Sequence, residues 1–403
     1  MKSKLKKVLA LSWITYAIFY FLRVNFSIAM PGIIQEFGVT KAELGAVASA
    51  FFAMYAIGQF VNGQLADNLG PKKLIAIGLG ASILLNLFIP VVGGVVGLLT
   101  LVWALNGLFQ SMGWSPSVKI VSAWFGKNYK GRVAGILGTS YIVGGALSWV
   151  LAGYLAKAGW RYTFYIPSLL AALVLVYWIL FGQENPEGKR DKTSLRETLK
   201  AVLTDKRVLF AGMGLFGINI VRYGFLTWAP TYFFEVQQAS ITTAMYKALI
   251  FPTAGALGAL TTGYLTDKVF KSNRTLVGTI MSIILLISSL AFANTTNWML
   301  GLGLLSIIGF TTFGPHSLLV SQLPMILGNR KNTGSITGAI DALGYLGASL
   351  TGIVSGLLID KFSWSHAFYF WVSGAAVAAV FIYLSQKHAT RKASSKKAKK
   401  VVS

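Results

Sequence analysis

The 403-residue chain contains no cysteine, which excludes disulfides, thiol catalysis and thiolate metal sites. Its three histidines, His316, His366 and His388, are scattered along the sequence, and neither a metal nor a cofactor is expected. No GxxxxGK[ST] phosphate loop is present, so ATP hydrolysis within the chain is not the driving reaction. No grouping of nucleophile, base and oxyanion donors can be discerned, so an enzyme is not expected. Acids are scarce, 12 against 36 lysines and arginines. The basic start MKSKLKK is not followed by a small-residue cleavage site, so it reads as the entry to a first membrane helix rather than as a removable signal.

What the chain has instead is apolar sequence: 55% hydrophobic residues and 12% charged ones. Runs of about twenty apolar residues recur along its length, each enough to cross a hydrocarbon core of roughly 30 Å. They are continuous rather than alternating, which favours helices over a β-barrel. Twelve spans are expected, near 8–34, 42–66, 73–91, 95–124, 131–156, 162–182, 208–235, 242–266, 275–293, 298–324, 333–359 and 366–386. The fold class is an all-α membrane protein.

The net charge of +24 is distributed by topology. Of the 36 basic residues, 28 fall in the two tails and in the loops after even-numbered spans. The positive-inside rule then puts both termini in the cytoplasm of a multi-pass protein of the cell (inner) membrane. The terminal run RKASSKKAKK suits topology or anionic head groups, and nucleic acid is not an expected partner.

An internal repeat sets the architecture. GQLADNLGPKK from Gly63 matches GYLTDKVFKSNR from Gly263 at an offset of 200, and Arg23 matches Arg222 at 199. Two six-helix halves of the same orientation follow, because the period contains an even number of spans. The expected domains are an N-terminal bundle at 1–182, a cytoplasmic linker at 183–207, a C-terminal bundle at 208–386 and a basic tail at 387–403. Within the linker, SLRETLKAVL has the pattern of a short amphipathic helix.

Arg23 and Arg222 lie inside apolar stretches, and each is followed eight residues later by a proline. A charge at that depth is costly and marks a functional site. Glu36 and Glu235 end the same helices and are too far along them to pair. Two guanidinium forks, one from each half, fit the oxygens of a single phosphate. Tyr20 and Asn219 stand one turn before the two arginines and share their faces, whereas Tyr223, adjacent to Arg222, points elsewhere. Lys119 suits either a guiding charge at the cytoplasmic mouth or a snorkelling lysine. Asp341 is the one acid inside a span, about 13 Å from its cytoplasmic start; it suits a buried ion pair, a proton site or a wetted cavity wall. His316 suits a pocket contact or a satisfied interior group. For each of these neighbours, plain packing is the alternative role.

The loop GQLADNLGPKK resembles the signature of the major facilitator superfamily, with Asn68 and Pro71 where basic residues are usual. That resemblance implies a conformational latch at Gly63, Asp67, Gly70, Lys72 and Lys73, repeated by Asp267, Lys268 and Arg274 in the second half. FYFLRVNFSIAMP, GWSPSVKIVSAWF, RYGFLTWAPTYFFEV, YLTDKVFKSNR and GYLGASL are similar to segments of the organophosphate:phosphate antiporter family, over nearly the whole chain. By that likeness Arg23 and Arg222 hold phosphate, and Tyr223 joins the site residues. Five positions depart from the better-known carriers. Val24 and Gln59 stand in place of lysines, Thr227 and Pro252 in place of acids, and Tyr141 in place of a histidine. The phosphate grip therefore carries over and the organic-group contacts do not.

The expected function is exchange of an organophosphate (a sugar phosphate, glycerol phosphate or phosphoglycerate) for inorganic phosphate, by a monomer that rocks two bundles about a central site in the lipid bilayer. Two alternatives stand beside it: proton- or sodium-coupled symport of carboxylates, since RVNFSIAMP also resembles such carriers, and a substrate sensor on a transporter scaffold.

Overall fold

The computed structural model describes residues 2–125, 130–183, 204–270, 274–323 and 333–401. The described secondary structure is helical throughout. The first half comprises α1 (Lys2–Phe21), α2 (Asn25–Phe37), α3 (Lys41–Leu69), α4 (Pro71–Val92), α5 (Val96–Gln110), α6 (Trp114–Trp124), α7 (Lys130–Leu155) and α8 (Tyr162–Phe181). The second comprises α9 (Lys206–Glu235), α10 (Ile241–Tyr264), α11 (Arg274–Ala293), α12 (Trp298–Ser317), α13 (Thr333–Lys361) and α14 (Trp364–Val401).

These helices account for the twelve expected spans, with two of them broken. The first span is α1 and α2, interrupted at 22–24, and the fourth is α5 and α6, interrupted at 111–113. Among the described residues eleven segments are long and apolar enough to cross a membrane by themselves. The remaining one, the eighth span α10, is 24 residues long but opens on the polar ITTAMYK, which dilutes its apolar character. The last helix continues to Val401, beyond the expected end of the span at 386. The linker expected at 183–207 lies almost entirely outside the described residues, and its amphipathic segment wholly so.

Burial is that of a protein in lipid. In α8 only 28% of the spanning window is buried, and on α4 the side chains of Leu84 and Val91 stand about 70% exposed. The arginine-bearing α9 has a 78% buried window. Without a hydrophobic drive between helices in lipid, close association relies on small residues and interhelical hydrogen bonds. The seam between α3 and α13 follows that rule. A Cβ on Gly45 would lie 2.3 Å from the carbonyl oxygen of Gly352, and one on Gly356 would lie 2.3 Å from that of Lys41.

The two halves are fastened at the end opposite the termini. Lys41 pairs with Glu235 at 3.2 Å and reaches Asp360 at 4.0 Å, while Asp360 accepts the backbone N–H of Ala42 at 2.6 Å. Ser349 donates to the carbonyl of Ser49 at 2.9 Å, Ser49 donates back to that of Ser349, and its Oγ also accepts the N–H of Ile353 at 2.7 Å. On the other flank Thr242 of α10 donates to the Gly153 carbonyl of α7 at 3.3 Å, and the hydroxyls of Tyr154 and Tyr246 meet. Within the first half, Arg161 grips Glu36 with two bonds of 2.5 and 2.6 Å.

At the expected latch, Gly70 has φ of 85° between α3 and α4, a backbone shape that glycine adopts without a Cβ penalty. Pro71 then occupies the first turn of α4. The Lys72 carbonyl accepts the indole N–H of Trp178 at 3.1 Å, and Lys73 is exposed. The equivalent stretch of the second half, Leu265–Val269, is a π-helical turn. Burial of Gly63 and the side chains of Asp67, Asp267, Lys268 and Arg274 lie outside what is described.

Candidate functional site

Arg23 stands in the break of the first span. Carbonyls that leave the helical ladder there are taken by side chains of neighbouring helices, the condition for irregular backbone at membrane depth. Leu22 accepts from Asn86 at 3.1 Å and from Asn106 at 2.9 Å; Phe19 accepts from Gln110 at 3.0 Å; Val24 accepts from Trp149 at 3.2 Å and Ser27 at 2.8 Å. The expectation of a continuous first helix is corrected accordingly: three amides and an indole compensate the interruption. Arg222, by contrast, sits in uninterrupted α9.

Both guanidinium groups are buried, with Arg23 4% and Arg222 2% exposed. Arg23 lies over the rings of Tyr55 (4.4 Å), Tyr20 (4.7 Å) and Phe51 (5.6 Å) and donates through Nη1 to the Tyr20 hydroxyl at 3.3 Å. Arg222 lies over Tyr223 (4.9 Å), Phe313 (4.9 Å) and Tyr141 (5.7 Å). Its Nη1 donates to the Tyr223 hydroxyl at 3.1 Å and meets His316 Nε2 at 3.3 Å. The reading that Tyr223 points elsewhere is thus corrected, because its ring folds back so that the hydroxyl reaches the guanidinium. Since a guanidinium only donates, His316 Nε2 accepts and the ring proton is assigned to Nδ1.

Tyrosines join the two arginines by two routes. On one, Tyr20 faces Tyr141 at 6.1 Å between centroids. On the other, Tyr55 packs on Tyr345 at 4.4 Å, and Tyr345 accepts from the Tyr223 hydroxyl at 3.3 Å. Gln59 donates to the Tyr55 hydroxyl at 2.8 Å and accepts from Ser115 at 3.0 Å.

Two cavities adjoin this ring and share Tyr20, Tyr141 and Arg222. The polar one, a small space, is bounded further by Gln59, His316, Asp341, Tyr16, Tyr55 and Tyr345, among others. The apolar one, equally small, is bounded by Val24, Trp149, Leu226 and Pro252, among others. Arg222 is thus on the wall of both. Arg23 is on neither, and lies behind Tyr20 and Tyr55, which are.

Of the remaining expected site residues, Asp341 and His316 face the polar cavity. Asn219 is buried against α13, where a Cβ on Gly344 would meet its amide at 3.0 Å, and it borders neither cavity. Lys119 is half-buried on α6 and likewise borders neither. Sequence reasoning missed Tyr16, Tyr55, Gln59, Trp114 and Tyr345 as site residues. Tyr55 and Gln59 are four apart on one helix face, a signal available in sequence but indistinguishable from packing. Of the five departures from the antiporter pattern, Val24, Gln59, Tyr141 and Pro252 all border a cavity; Thr227 is buried elsewhere.

The electrostatic balance is unusual. Among the described residues no carboxylate lies within ion-pair distance of Arg23 or Arg222. Three of their nitrogens, Nε and Nη2 of Arg23 and Nε of Arg222, are buried without a hydrogen-bond partner. Leaving such groups unsatisfied costs several kcal/mol per buried charge, roughly, unless an anion completes them.

Residues 12–352 match the model of the Major Facilitator Superfamily. A probable hexose phosphate transport protein of Chlamydia pneumoniae is 30% identical, across 96% of this chain and 92% of that protein. The glycerol-3-phosphate transporter of Bacillus subtilis is 27% identical, across 93% of this chain and 90% of that one. In fold, the chain is similar to a bacterial homologue of the human lysosomal transporter Spinster, with a TM-score of 0.79 at 14% identity, over 96% of this chain and 98% of that one.

Proposed function

The chain belongs to the major facilitator superfamily, and from that premise we propose that it is a secondary transporter exchanging an organophosphate, of the sugar phosphate or glycerol phosphate kind, for inorganic phosphate. The observation that carries this reading is the set of three unsatisfied, buried guanidinium nitrogens on two arginines, one from each half, with no described carboxylate to neutralise them. A phosphate supplies both the charge and the acceptor oxygens. The names of relatives at 27 to 30% identity, a hexose phosphate transport protein and a glycerol-3-phosphate transporter, support the organophosphate part of this reading.

In this account the anion enters the polar cavity and meets Arg222 first. Rotation of Tyr20 and Tyr55 then exposes Arg23 to the same ligand. Neutralising both charges lowers the barrier to rocking one bundle against the other, while the empty carrier keeps two uncompensated charges and resists the swing, so exchange is obligatory. With the termini in the cytoplasm, the ion pairs of Lys41 and the serine pair of α3 and α13 close the outer face, so this conformation belongs to the inward side of the cycle. The turn at Gly70 and the π-helical turn at 265–269 act as latches on the opposite face.

Proteoliposomes holding the purified protein test the reading. Uptake of labelled phosphate is expected only when the lumen is loaded with phosphate or an organophosphate. Equal uptake into unloaded vesicles, or uptake that needs only a proton or sodium gradient, contradicts it and favours carboxylate symport.

A further inference from the structure

Phosphate binding and rocking leave Asp341 without a task, although it is the one acid inside a span. The residue is 4% exposed and borders the polar cavity, as Arg222 does. Among the described residues it makes no hydrogen bond and no ion pair, so it does not stand in for the anion when the site is empty. An unpaired carboxylate in a buried anion site repels the ligand that the arginines attract. Filling the site therefore requires that this repulsion be relieved.

Two guanidinium charges balance a phosphate dianion. An ionised Asp341 beside it leaves the filled site with one negative charge in excess, at a depth where an uncompensated charge is costly. One proton restores neutrality. The phosphate oxygens receive the guanidinium forks, which favour their charged form, whereas Asp341 receives no donor. The proton therefore goes to the carboxyl. The other titratable groups facing it from the packed helices do not compete. Tyr16 and Tyr20 of α1, Tyr55 of α3, Tyr141 of α7, Tyr223 of α9 and Tyr345 of α13 are phenols, which keep their protons in the neutral range. His316 Nε2 of α12 accepts from Arg222 at 3.3 Å, and protonating it breaks that bond. Lys119 of α6 borders neither cavity, and α14 lends the polar one no lining residue.

We propose that Asp341 is the proton site of the transport cycle. It is a carboxylate in the empty carrier, takes one proton from the adjoining water onto an Oδ atom as the phosphate dianion binds, and returns that proton to water on release. The proposal rests on the reading that the two arginines hold the phosphate, and it assigns the charge of the transported unit. A dianion crosses with one proton in either direction, so one-for-one exchange moves neither net charge nor net protons.

Calorimetric titration of inorganic phosphate into the purified full-length protein in lipid nanodiscs counts the protons. It is run at about pH 8 to 9, where free phosphate is chiefly the dianion, in two buffers that differ in ionisation enthalpy. The unmodified protein is expected to take up about one proton per phosphate bound, and its affinity to fall about tenfold per pH unit. Asp341→Asn should take up none and lose the pH dependence, while His316→Gln should keep both. Infrared difference spectra of the unmodified protein should show a carboxylic acid C=O band that appears when phosphate binds. Absence of proton uptake or of that band overturns the proton site whether or not the variants fold. Uptake that persists in Asp341→Asn, or vanishes in His316→Gln, overturns it too. Labelled phosphate counterflow in proteoliposomes separates this from exchange itself. Intact counterflow without proton uptake leaves exchange standing and removes the proton site. Proton uptake at Asp341 without counterflow sinks the exchange reading and leaves the proton site, and failure of phosphate to bind sinks both.

Discussion

Ser49 on α3 and Ser349 on α13, 300 positions apart, each donate a side-chain hydrogen bond to the other's backbone carbonyl. The reciprocal pair joins equivalent halves of the molecule at the seam where the two helices run closest, and it sits between the Lys41 ion pairs and the arginine ring. Whatever separates the halves on this face must break it.

That relationship gives a direct locking experiment, made simple because the chain has no cysteine of its own. Replacing both serines by cysteine places two thiols where the backbones are close enough for a disulfide. Mild oxidation of Ser49→Cys/Ser349→Cys is expected to cross-link the halves and stop exchange, with recovery on reduction. Full exchange by the cross-linked protein would mean that this face does not open.

Bulk at the same seam should do the opposite. A Cβ on Gly352 would lie 2.5 Å from the Gly45 carbonyl oxygen and 2.6 Å from Ser49 Oγ, and backbone on both sides leaves little room to relax. Gly352→Ala is expected to destabilise the closed face by about 1–3 kcal/mol. A single Ser49→Cys in that background should then react with an impermeant maleimide about fivefold faster or more. An unchanged labelling rate would show that the seam tolerates the methyl.

His316 is expected to orient Arg222 rather than to carry protons. Its Nε2 accepts from the guanidinium at 3.3 Å, a charge-assisted bond whose loss costs about 1.5–3 kcal/mol. His316→Leu should lower kcat/KM for phosphate exchange about tenfold or more. His316→Gln, which keeps an acceptor on a side chain of similar reach, should recover most of it. Equal losses in both variants would assign the imidazole a different task.

The twelve spans and both arginines were legible in the sequence because hydropathy and a lone intramembrane charge are one-dimensional signals. The helix breaks at 22–24 and 111–113 were not. Nothing local forces the first of them: the apolar run is continuous, and the break is stabilised by Asn86, Asn106 and Gln110 from other helices. Tyr223 was misjudged for a related reason, since sequence spacing fixes where a Cβ starts and not where a long aromatic side chain ends. The tyrosine ring was only partly legible: helical spacing placed Tyr20 beside Arg23, and the resemblance singled out Tyr141, whereas Tyr55 and Tyr345 read as packing until the fold brings them between the two guanidinium groups. The shared Arg222 wall of the polar and apolar cavities is likewise a product of packing between halves.

The central claim is that Arg23 and Arg222 hold one anion between them, and a double-mutant cycle on phosphate binding tests it most directly. Calorimetry on the unmodified protein, Arg23→Lys, Arg222→Lys and the double variant should give one phosphate per chain. Each single change is expected to weaken binding about tenfold or more, because a point charge lacks the planar fork, and the double change should cost clearly less than the sum of the two. Two phosphates per chain, or strictly additive losses, would contradict the account.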